Sequence, residues 1–286
     1  MTLSDGIIAH IENTIRESIK DKLKKYRRET EAMPFHYRLL GQDRMKIFSF
    51  VQSVNTTLGM SMYEFIAVTI ATPRFKRVNR QVFLGNRISL DAQREIQTIM
   101  DTISGSLAPN KSAQVEKIRS VCQSGEMKIL EKTGQTHVDL LLEDEQGVIY
   151  CFDIKTVKPN KGNFTSLKRT LLEWCAIYLN QHPNADVRTL IAIPYNPYDP
   201  KDYNRLTLKT TLDLSHELRV AAEFWDFLGG DGAYQEVLDC FERVGIELKP
   251  EIDTFFDNLP TIGSQGAIKS PSPLDTLDFG EETDGE

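Results

Sequence analysis

The sequence predicts an α/β (α+β) fold with a central mixed β-sheet in αβββαβ order and extensive helical flanking regions. An apolar hairpin, a helix after it and a buried strand after that helix support this prediction. The hairpin arms, residues 137–142 and 148–157, are rich in aliphatic and aromatic residues and are separated by the polar break EDEQG. Apolar residues then repeat at helical spacing from Phe164 to Tyr178. The run from Val187 to Ile193 is continuously apolar, which suits a buried strand.

Two elements ahead of the hairpin complete the predicted order. Residues 112–123 carry apolar side chains at Val115, Ile118 and Cys122, which indicates a short amphipathic helix. Residues 127–130 then form a short strand-like segment. We therefore expect this helix and this strand to be the first two elements of the core.

Three charged residues inside the hairpin are candidate catalytic residues. Asp139 lies in the first arm, and Asp153 and Lys155 lie in the second. Side chains alternate across a strand, so Asp153 and Lys155 share a face. Burying carboxylates in apolar strands costs on the order of several kcal/mol unless a cation or hydrogen bonds compensate. Two carboxylates on neighbouring strands make the oxygen-rich site that Mg²⁺ prefers, and Lys155 could hold a nucleophilic water or a phosphate.

This order, with an acid on the second strand and D-x-K on the third, resembles the core of the PD-(D/E)xK nuclease superfamily. The segments FDIKTVKPNKGNF, KRTLLEW and FWDFLGGDGAYQEVLDCFERVGIEL are similar to the TdeIII-type group of type II restriction endonucleases, over about residues 1 to 260. The resemblance implies Mg²⁺-dependent, sequence-specific cleavage of double-stranded DNA at a short palindromic site by a homodimer. It suggests GGNCC-like targets and a DNA methyltransferase as a genetic partner. It also implies Asp139, Asp153 and the carbonyl of Ile154 as metal ligands.

Glu116 is a fourth catalytic candidate. Related nucleases often place a further acid on the helix ahead of the hairpin, and Glu116 lies on the helix predicted there. By helical geometry it lies about 140° from the centre of the apolar face. That position favours a solvated glutamate over a catalytic one, and Glu116 stays in the candidate list as the weaker alternative.

Basic and polar residues outside the hairpin arms are candidate DNA contacts. The segment PRFKRVNRQVF, residues 73–83, clusters four basic side chains around two aromatic ones, which predicts a DNA-facing loop or, alternatively, a solvated one. The loop after the catalytic strand and the polar-aromatic loop 193–205 could approach phosphates or base edges. The candidates are Arg74, Lys76, Arg77, Arg80, Lys158, Asn160, Lys161, Asn163, Lys201 and Arg205.

Asn163 is also the expected N-cap of the helix that follows the hairpin. Lys168 and Arg169, one turn into that helix, are expected on a solvated face.

Charge is distributed unevenly along the 286 residues. The net charge is −7, with 40% hydrophobic and 26% charged residues, which is typical of a globular protein. Residues 1–80 hold 14 Lys/Arg against 8 Asp/Glu, whereas residues 264–286 hold one Lys and six acids. The first third can therefore present a basic face. We expect a mainly helical, DNA-contacting N-terminal region at 1–105, a catalytic core at 106–210, C-terminal helices packed on the core at 211–260 and an acidic disordered tail at 261–286.

Cysteine usage and hydropathy limit the other classes of protein. The four cysteines lie far apart without a CxxC pair, which predicts free, buried thiols rather than a zinc site. No run approaches about 18 apolar residues, and the N-terminus lacks the layout of a signal peptide. We therefore expect a cytoplasmic protein without a membrane partner.

Two other functions remain open from the sequence alone. A junction-resolving or repair nuclease of the same fold would share Asp139, Asp153 and Lys155. A non-catalytic DNA-binding protein would use the acids in structural ion pairs. Large helical flanks favour sequence readout, and acids that face phosphate repel DNA, which argues against the pure binder.

Overall fold

The computed structural model describes residues 3–27, 33–103, 109–130, 136–155, 161–203 and 206–259. The described helices are α1 (Asp5–Lys25), α2 (Pro34–Leu40), α3 (Gln42–Thr57), α4 (Tyr63–Ala71), α5 (Leu90–Thr102), α6 (Lys111–Val121), α7 (Lys161–Gln181), α8 (Leu206–Lys209), α9 (Leu214–Glu217), α10 (Ala222–Gly229) and α11 (Ala233–Asn258). A π-helical turn, Leu58–Met62, joins α3 to α4. The described strands are β1 (Arg77–Phe83), β2 (Arg87–Ser89), β3 (Met127–Ile129), β4 (His137–Glu143), β5 (Ile149–Ile154), β6 (Val187–Ile193) and β7 (Leu218–Val220).

A mixed five-stranded sheet forms the centre of the molecule, in the order β1-β4-β5-β6-β7. The β1–β4 and β4–β5 pairs are antiparallel, whereas β5–β6 and β6–β7 are parallel. All six residues of β5 are buried, because this strand lies mid-sheet between two helical layers. The prediction of a mixed central sheet with many helices is confirmed.

The first strand of the central sheet differs from the prediction. Met127–Ile129 is indeed a strand, but it pairs with β2 in a separate two-stranded sheet. The position beside β4 is taken by β1, which lies in the basic segment expected to be a loop. Strand β1 lies at the edge of the sheet, and five of its seven residues are exposed. An edge strand of this kind does not need the apolar sequence of a core strand, and β1 lacks it.

Two apolar clusters cover the two faces of the sheet. One contains Phe152 and Leu190 together with residues of α1, α4, α10 and α11. The other contains Cys151 and Ile191 together with residues of α5, α6 and α7. Helices α4 and α6 therefore pack on opposite faces, which decides which acid can reach the carboxylates of the hairpin.

The four cysteines are free and buried, as predicted, in helices or strands or directly after a helix. They are Cys122, Cys151, Cys175 and Cys240. Burial raises the pKa of each thiol, so these groups behave as small apolar side chains. None of the helices in the described ranges combines the length and the hydropathy of a membrane span.

A buried ion cluster lies between α6, α7 and α9. Lys168 is fully buried, so the expectation of a solvated face is wrong for it, while Arg169 stays partly exposed. The Lys168 Nζ donates to Glu217 and to Gln114, each at 2.6 Å. The Lys111 Nζ lies 2.9 Å from Glu217. Burial and the charge of Lys111 lower the pKa of Lys168 to about 8, against the opposing charge of Glu217.

Candidate active site

The candidate site lies at the end of β5, where its pairing with β4 stops. Paired residues run from Glu143 and Ile149 to Leu140 and Phe152, and the ladder does not continue at Asp139. The Asp139 Oδ2 instead accepts a hydrogen bond from the backbone N–H of Ile154 at 2.7 Å. The Asp139 carboxylate therefore accepts the hydrogen bond that a backbone carbonyl would accept in a continued ladder, and this bond fixes the orientation of the side chain.

Asp153 and Lys155 point to the same side of β5, as their alternation predicts. The Lys155 Nζ donates to the Asp153 Oδ1 at 2.6 Å. The side chain of Asp153 is 9% exposed and that of Lys155 is 41% exposed. The acid is thus held inside the sheet, while the ammonium group remains reachable from solvent by a substrate.

Burial and neighbouring charges shift the pKa values of both groups. Burial raises the pKa of Asp153 to about 6; the charge of Lys155 opposes this rise, and the nearby carboxyl of Asp139 adds to it. Burial lowers the pKa of Lys155, but the attraction of Asp153 and Asp139 outweighs it, so that the pKa is raised overall. Lys155 therefore stays protonated and positively charged beside the two neighbouring carboxyl groups.

Glu64 of α4 contributes a third carboxylate to the region of Asp139 and Asp153. It is 4% exposed, and its Oε1 accepts a hydrogen bond from the Gln81 amide at 2.8 Å. The same amide nitrogen lies 3.2 Å from the Asp139 Oδ1. Burial raises the pKa of Glu64, and the charge of Asp139 contributes to that rise. The available sequence signal was a lone acid inside the apolar run YEFIAVTIA.

Glu116, by contrast, is not brought to the carboxylates. Its side chain is 69% exposed and pairs with Arg119 of its own helix at 3.2 Å. It lines a cleft of about 510 Å³ together with Tyr150 and Asp186, at the opposite end of β5 and β6 from Asp153. The structure therefore favours the solvated interpretation of Glu116, because α6 packs on the other face of the sheet from α4.

The basic segment that precedes β4 divides into two groups. Lys76 and Arg77 both pair with Glu143, at 2.8 Å and 3.3 Å, at the far end of β4 from Asp139. Arg80 lies 3.7 Å from Glu64 and stacks on the ring of Phe65, 3.7 Å from its centroid. These residues belong to an edge strand or precede it, rather than forming a loop, and Arg80 is the member beside the carboxylates.

The remaining DNA-contact candidates lie in other segments. Arg74 is exposed in the turn after α4, and Lys201 is exposed in the turn after β6. Lys158, Asn160 and Arg205 lie outside the described residues. The backbone of Lys161 and Asn163 belongs to α7, whose side chains are described from Phe164 onward. The helix begins at Lys161, so the prediction of Asn163 as its N-cap is wrong.

Two carboxylate oxygens at the site have no hydrogen-bond partner. The Oδ2 of Asp153 and the Oε2 of Glu64 are both buried and unsatisfied. Leaving such an oxygen unpaired costs roughly 1–3 kcal/mol, and more when it is charged. Within the described ranges, no group of three or more His, Cys, Asp or Glu side chains is close enough together to hold a metal ion by itself. The donors fit a hard cation that takes one or two carboxylates and completes its shell with water and substrate phosphate, as Mg²⁺ does.

Comparisons with known proteins give the class of protein. The Type II restriction enzyme HgiEI of Herpetosiphon aurantiacus is 27% identical over 249 residues, which cover 84% of this chain and 88% of the relative. The enzyme HgiBI of the same organism is 27% identical over 231 residues, 79% of this chain and 81% of the relative. The Type II restriction enzyme MjaII of Methanocaldococcus jannaschii is 26% identical over 296 residues, 91% of this chain and 75% of the relative.

All three relatives are Type II restriction enzymes, which are site-specific deoxyribonucleases. A family model described as "HinfI: Type II restriction endonuclease, HinfI" matches residues 3–245. The chain therefore belongs to the HinfI-type Type II restriction endonuclease family. The prediction of a type II restriction endonuclease is confirmed at this level, and the matched family is HinfI.

Proposed function

We propose that this endonuclease hydrolyses phosphodiesters of double-stranded DNA in an active site formed by Asp139, Asp153 and Lys155, with Mg²⁺ as the cofactor. The observation that carries the proposal is the buried, unpartnered Oδ2 of Asp153, beside both Lys155 and Asp139. Such an oxygen is costly in a protein interior, and a divalent cation would satisfy it. The sequence spacing and the hydrogen bonds of these residues point to the same chemistry.

Each residue has a separate role in the proposed reaction. Asp139, Asp153 and the Ile154 carbonyl would hold the cation, which lowers the pKa of a bound water and neutralises charge on the phosphate. The Ile154 amide orients Asp139 before any ligand arrives. The exposed ammonium of Lys155 would bind the attacking water or a phosphate oxygen, where it stabilises negative charge that develops during hydrolysis.

Glu64, rather than Glu116, is our candidate for the further acid. Its burial, its shared donor with Asp139 and an Oε2 that accepts no hydrogen bond support this assignment. Glu64 and Glu116 each lie on a helix that precedes the catalytic hairpin. Only α4 packs so that its acid, Glu64, comes close to Asp139 of β4.

The order of elements supports a PD-(D/E)xK core. Helix α4, strands β1, β4 and β5, helix α7 and strand β6 follow one another as α-β-β-β-α-β, with α5, α6 and the small sheet inserted after β1. Asp139 then lies on the second strand and Asp153 on the third, as the resemblance implies. In this assignment α4 and β1 replace the helix and the strand expected from the sequence.

DNA contact and assembly extend the proposal. We assign substrate contact to the basic face around β1 and to the segments that follow β5 and β6 in the sequence, with phosphate contacts giving affinity and base contacts giving specificity. The assigned residues are Arg74, Lys76, Arg77, Arg80, Lys158, Asn160, Lys161, Asn163, Lys201 and Arg205. A homodimer would match a short palindromic site, of GGNCC-like sequence as in the TdeIII-type resemblance, with a DNA methyltransferase as the genetic partner. A cytoplasmic location remains an expectation from the sequence.

Incubation of the purified protein with plasmid and phage DNA tests the proposal. We expect discrete fragments with Mg²⁺ and none with EDTA, and sequencing the fragment ends would give the recognition site. A four-way junction and its linear arms are digested in parallel. Cleavage of the junction alone would favour a structure-specific nuclease, and a gel shift without cutting would indicate a non-catalytic binder; either result would overturn the proposal.

A further inference from the structure

Gln81 has a backbone conformation that its surroundings must hold in place. Its φ is +51°, in the left-handed region that residues with a Cβ seldom adopt. The neighbouring residues of β1 pair normally with β4, Arg80 with Leu140 and Val82 with Val138. Strain confined to one residue inside an otherwise regular strand is typical of a functional position.

This residue also reverses the faces of β1. Val78 packs against the apolar cluster that contains α4, whereas Val82 packs against the opposite cluster. Residues four apart in a regular strand share a face, so the chain turns over between them. The turn lies directly beside Asp139, where β4 and β5 separate.

The Gln81 side chain links the two acids that flank it. Its Nε2 lies 2.8 Å from the Glu64 Oε1 and 3.2 Å from the Asp139 Oδ1. A primary amide carries two hydrogens on this nitrogen, one for each carboxylate. The Ile154 amide holds the other oxygen of Asp139, while the Oε2 of Glu64 has no hydrogen-bond partner and lies 3.7 Å from the Arg80 Nη1.

The neutrality of the amide is important for a cation site. A lysine or arginine at this position would cancel a negative charge that a divalent cation needs, and a glutamate would add repulsion without donating hydrogens. Glutamine orients both carboxylates and leaves their charge in place. Groups that orient metal ligands in this way typically change metal affinity or activity by about 10- to 100-fold when they are removed.

We propose that Gln81 is a positioning residue for the divalent cation: it holds Glu64 and Asp139 in the arrangement that receives the ion. The inference rests on the proposed metal-dependent cleavage, and it assigns to Gln81 no contact with the reacting atoms. Because Gln81 acts on cation binding, its substitution should raise the cation concentration needed for half-maximal cleavage more than it lowers the cleavage rate at saturating cation.

The decisive variant is Gln81→Gly, because glycine accepts a positive φ without strain and lacks the amide. Gln81→Ala removes the amide and keeps the strain, so the two together separate conformation from hydrogen bonding. Gln235→Ala is the matched control, since Gln235 donates to Asp239 at 2.7 Å on the exposed side of α11. Thermal denaturation checks that every variant is folded.

Mn²⁺ binding is measured from the electron paramagnetic resonance signal of the free ion, and cleavage is measured over a Mg²⁺ titration. We expect Gln81→Gly and Gln81→Ala to weaken Mn²⁺ binding and raise the half-saturating Mg²⁺ concentration by about 10- to 100-fold. Gln235→Ala should match the wild type. If the wild type cuts DNA and Gln81→Gly binds Mn²⁺ equally well, the positioning role is wrong while the proposed function stands. A wild type that neither cuts nor binds Mn²⁺ would overturn both.

Discussion

At the scale of single residues, Lys155 is proposed to act in cleavage without binding the metal, so the two properties can be tested separately. We predict that Lys155→Ala loses cleavage by roughly 100- to 1,000-fold, as expected when one group that stabilises transition-state charge is removed. Metal binding should survive, because the ammonium is assigned to water and phosphate. Calorimetric Mg²⁺ titration beside a cleavage assay measures the two effects.

Lys249→Ala is the matched control for this variant, since Lys249 pairs with Asp253 at 2.7 Å on the exposed side of α11. Cleavage by Lys155→Ala at the rate of this control would remove Lys155 from the mechanism.

Local sequence pattern was sufficient to predict the central residues of the site and insufficient for the others. Alternation along β5 placed Asp153 and Lys155 on one side, and the hairpin placed Asp139 next to them. Glu64 is 75 or more residues away along the chain from these residues, and its approach depends on how α4 packs on the sheet. No local pattern reports such a contact, so the sequence points instead to Glu116, on the helix nearest in sequence.

At the scale of secondary-structure elements, the buried cluster around Glu217 joins α6, α7 and α9. Glu217 is fully buried and binds Lys168 at 2.6 Å and Lys111 at 2.9 Å. We predict that Glu217→Gln destabilises the protein by about 3–5 kcal/mol, because it leaves two buried lysines without a countercharge. Urea denaturation measures the change in the free energy of unfolding.

Glu251→Gln serves as the comparison, since Glu251 is half exposed and lies 3.5 Å from Lys20. Surface pairs of this kind contribute about 0–1 kcal/mol. Equal stabilities of the two variants would show that the buried cluster does not hold the three helices together.

The elements themselves were predicted to different degrees. The hairpin, α7 and β6 follow directly from apolar periodicity. The sequence predicts a loop at β1 because its basic residues outnumber the two valines that pack inward. Strand β3 was predicted as a strand, but its partner β2 is only three residues long and could not be identified from pattern.

At the scale of the whole molecule, the basic face around β1 should control the salt dependence of DNA binding. Neutralising Arg74, Lys76, Arg77 and Arg80 should weaken binding to any duplex. Each lost phosphate contact should change the log–log slope of affinity against salt by about 0.9. Fluorescence anisotropy over a salt series measures it.

Arg16→Ala combined with Lys20→Ala is a control that also removes positive charge, on the part of α1 that pairs with α11. A slope unchanged from the wild type in the β1 variant would assign these residues to a solvated surface, with Lys76 and Arg77 serving only their pairing with Glu143.

The acidic C-terminal segment lies outside the described residues, and the prediction for it rests on sequence. Residues 264–286 carry six acids and one lysine, and this charge repels DNA. We predict that a chain truncated after Gly263 cleaves DNA as well as the full chain. Loss of activity, or a dimer that dissociates in sedimentation, would show that Leu274, Leu277 and Phe279 dock on a partner.

The most direct test of the central claim is the Mg²⁺-dependent cleavage rate of Asp139→Ala and Asp153→Ala, measured beside Glu116→Gln. The two aspartate variants should lose cleavage by roughly 1,000-fold or more, corresponding to several kcal/mol of metal-assisted stabilisation, while circular dichroism and DNA binding stay close to wild type. Glu116→Gln should cut normally, because that acid lies at the other end of the sheet. Near wild-type cutting by either aspartate variant would contradict the assignment of the active site.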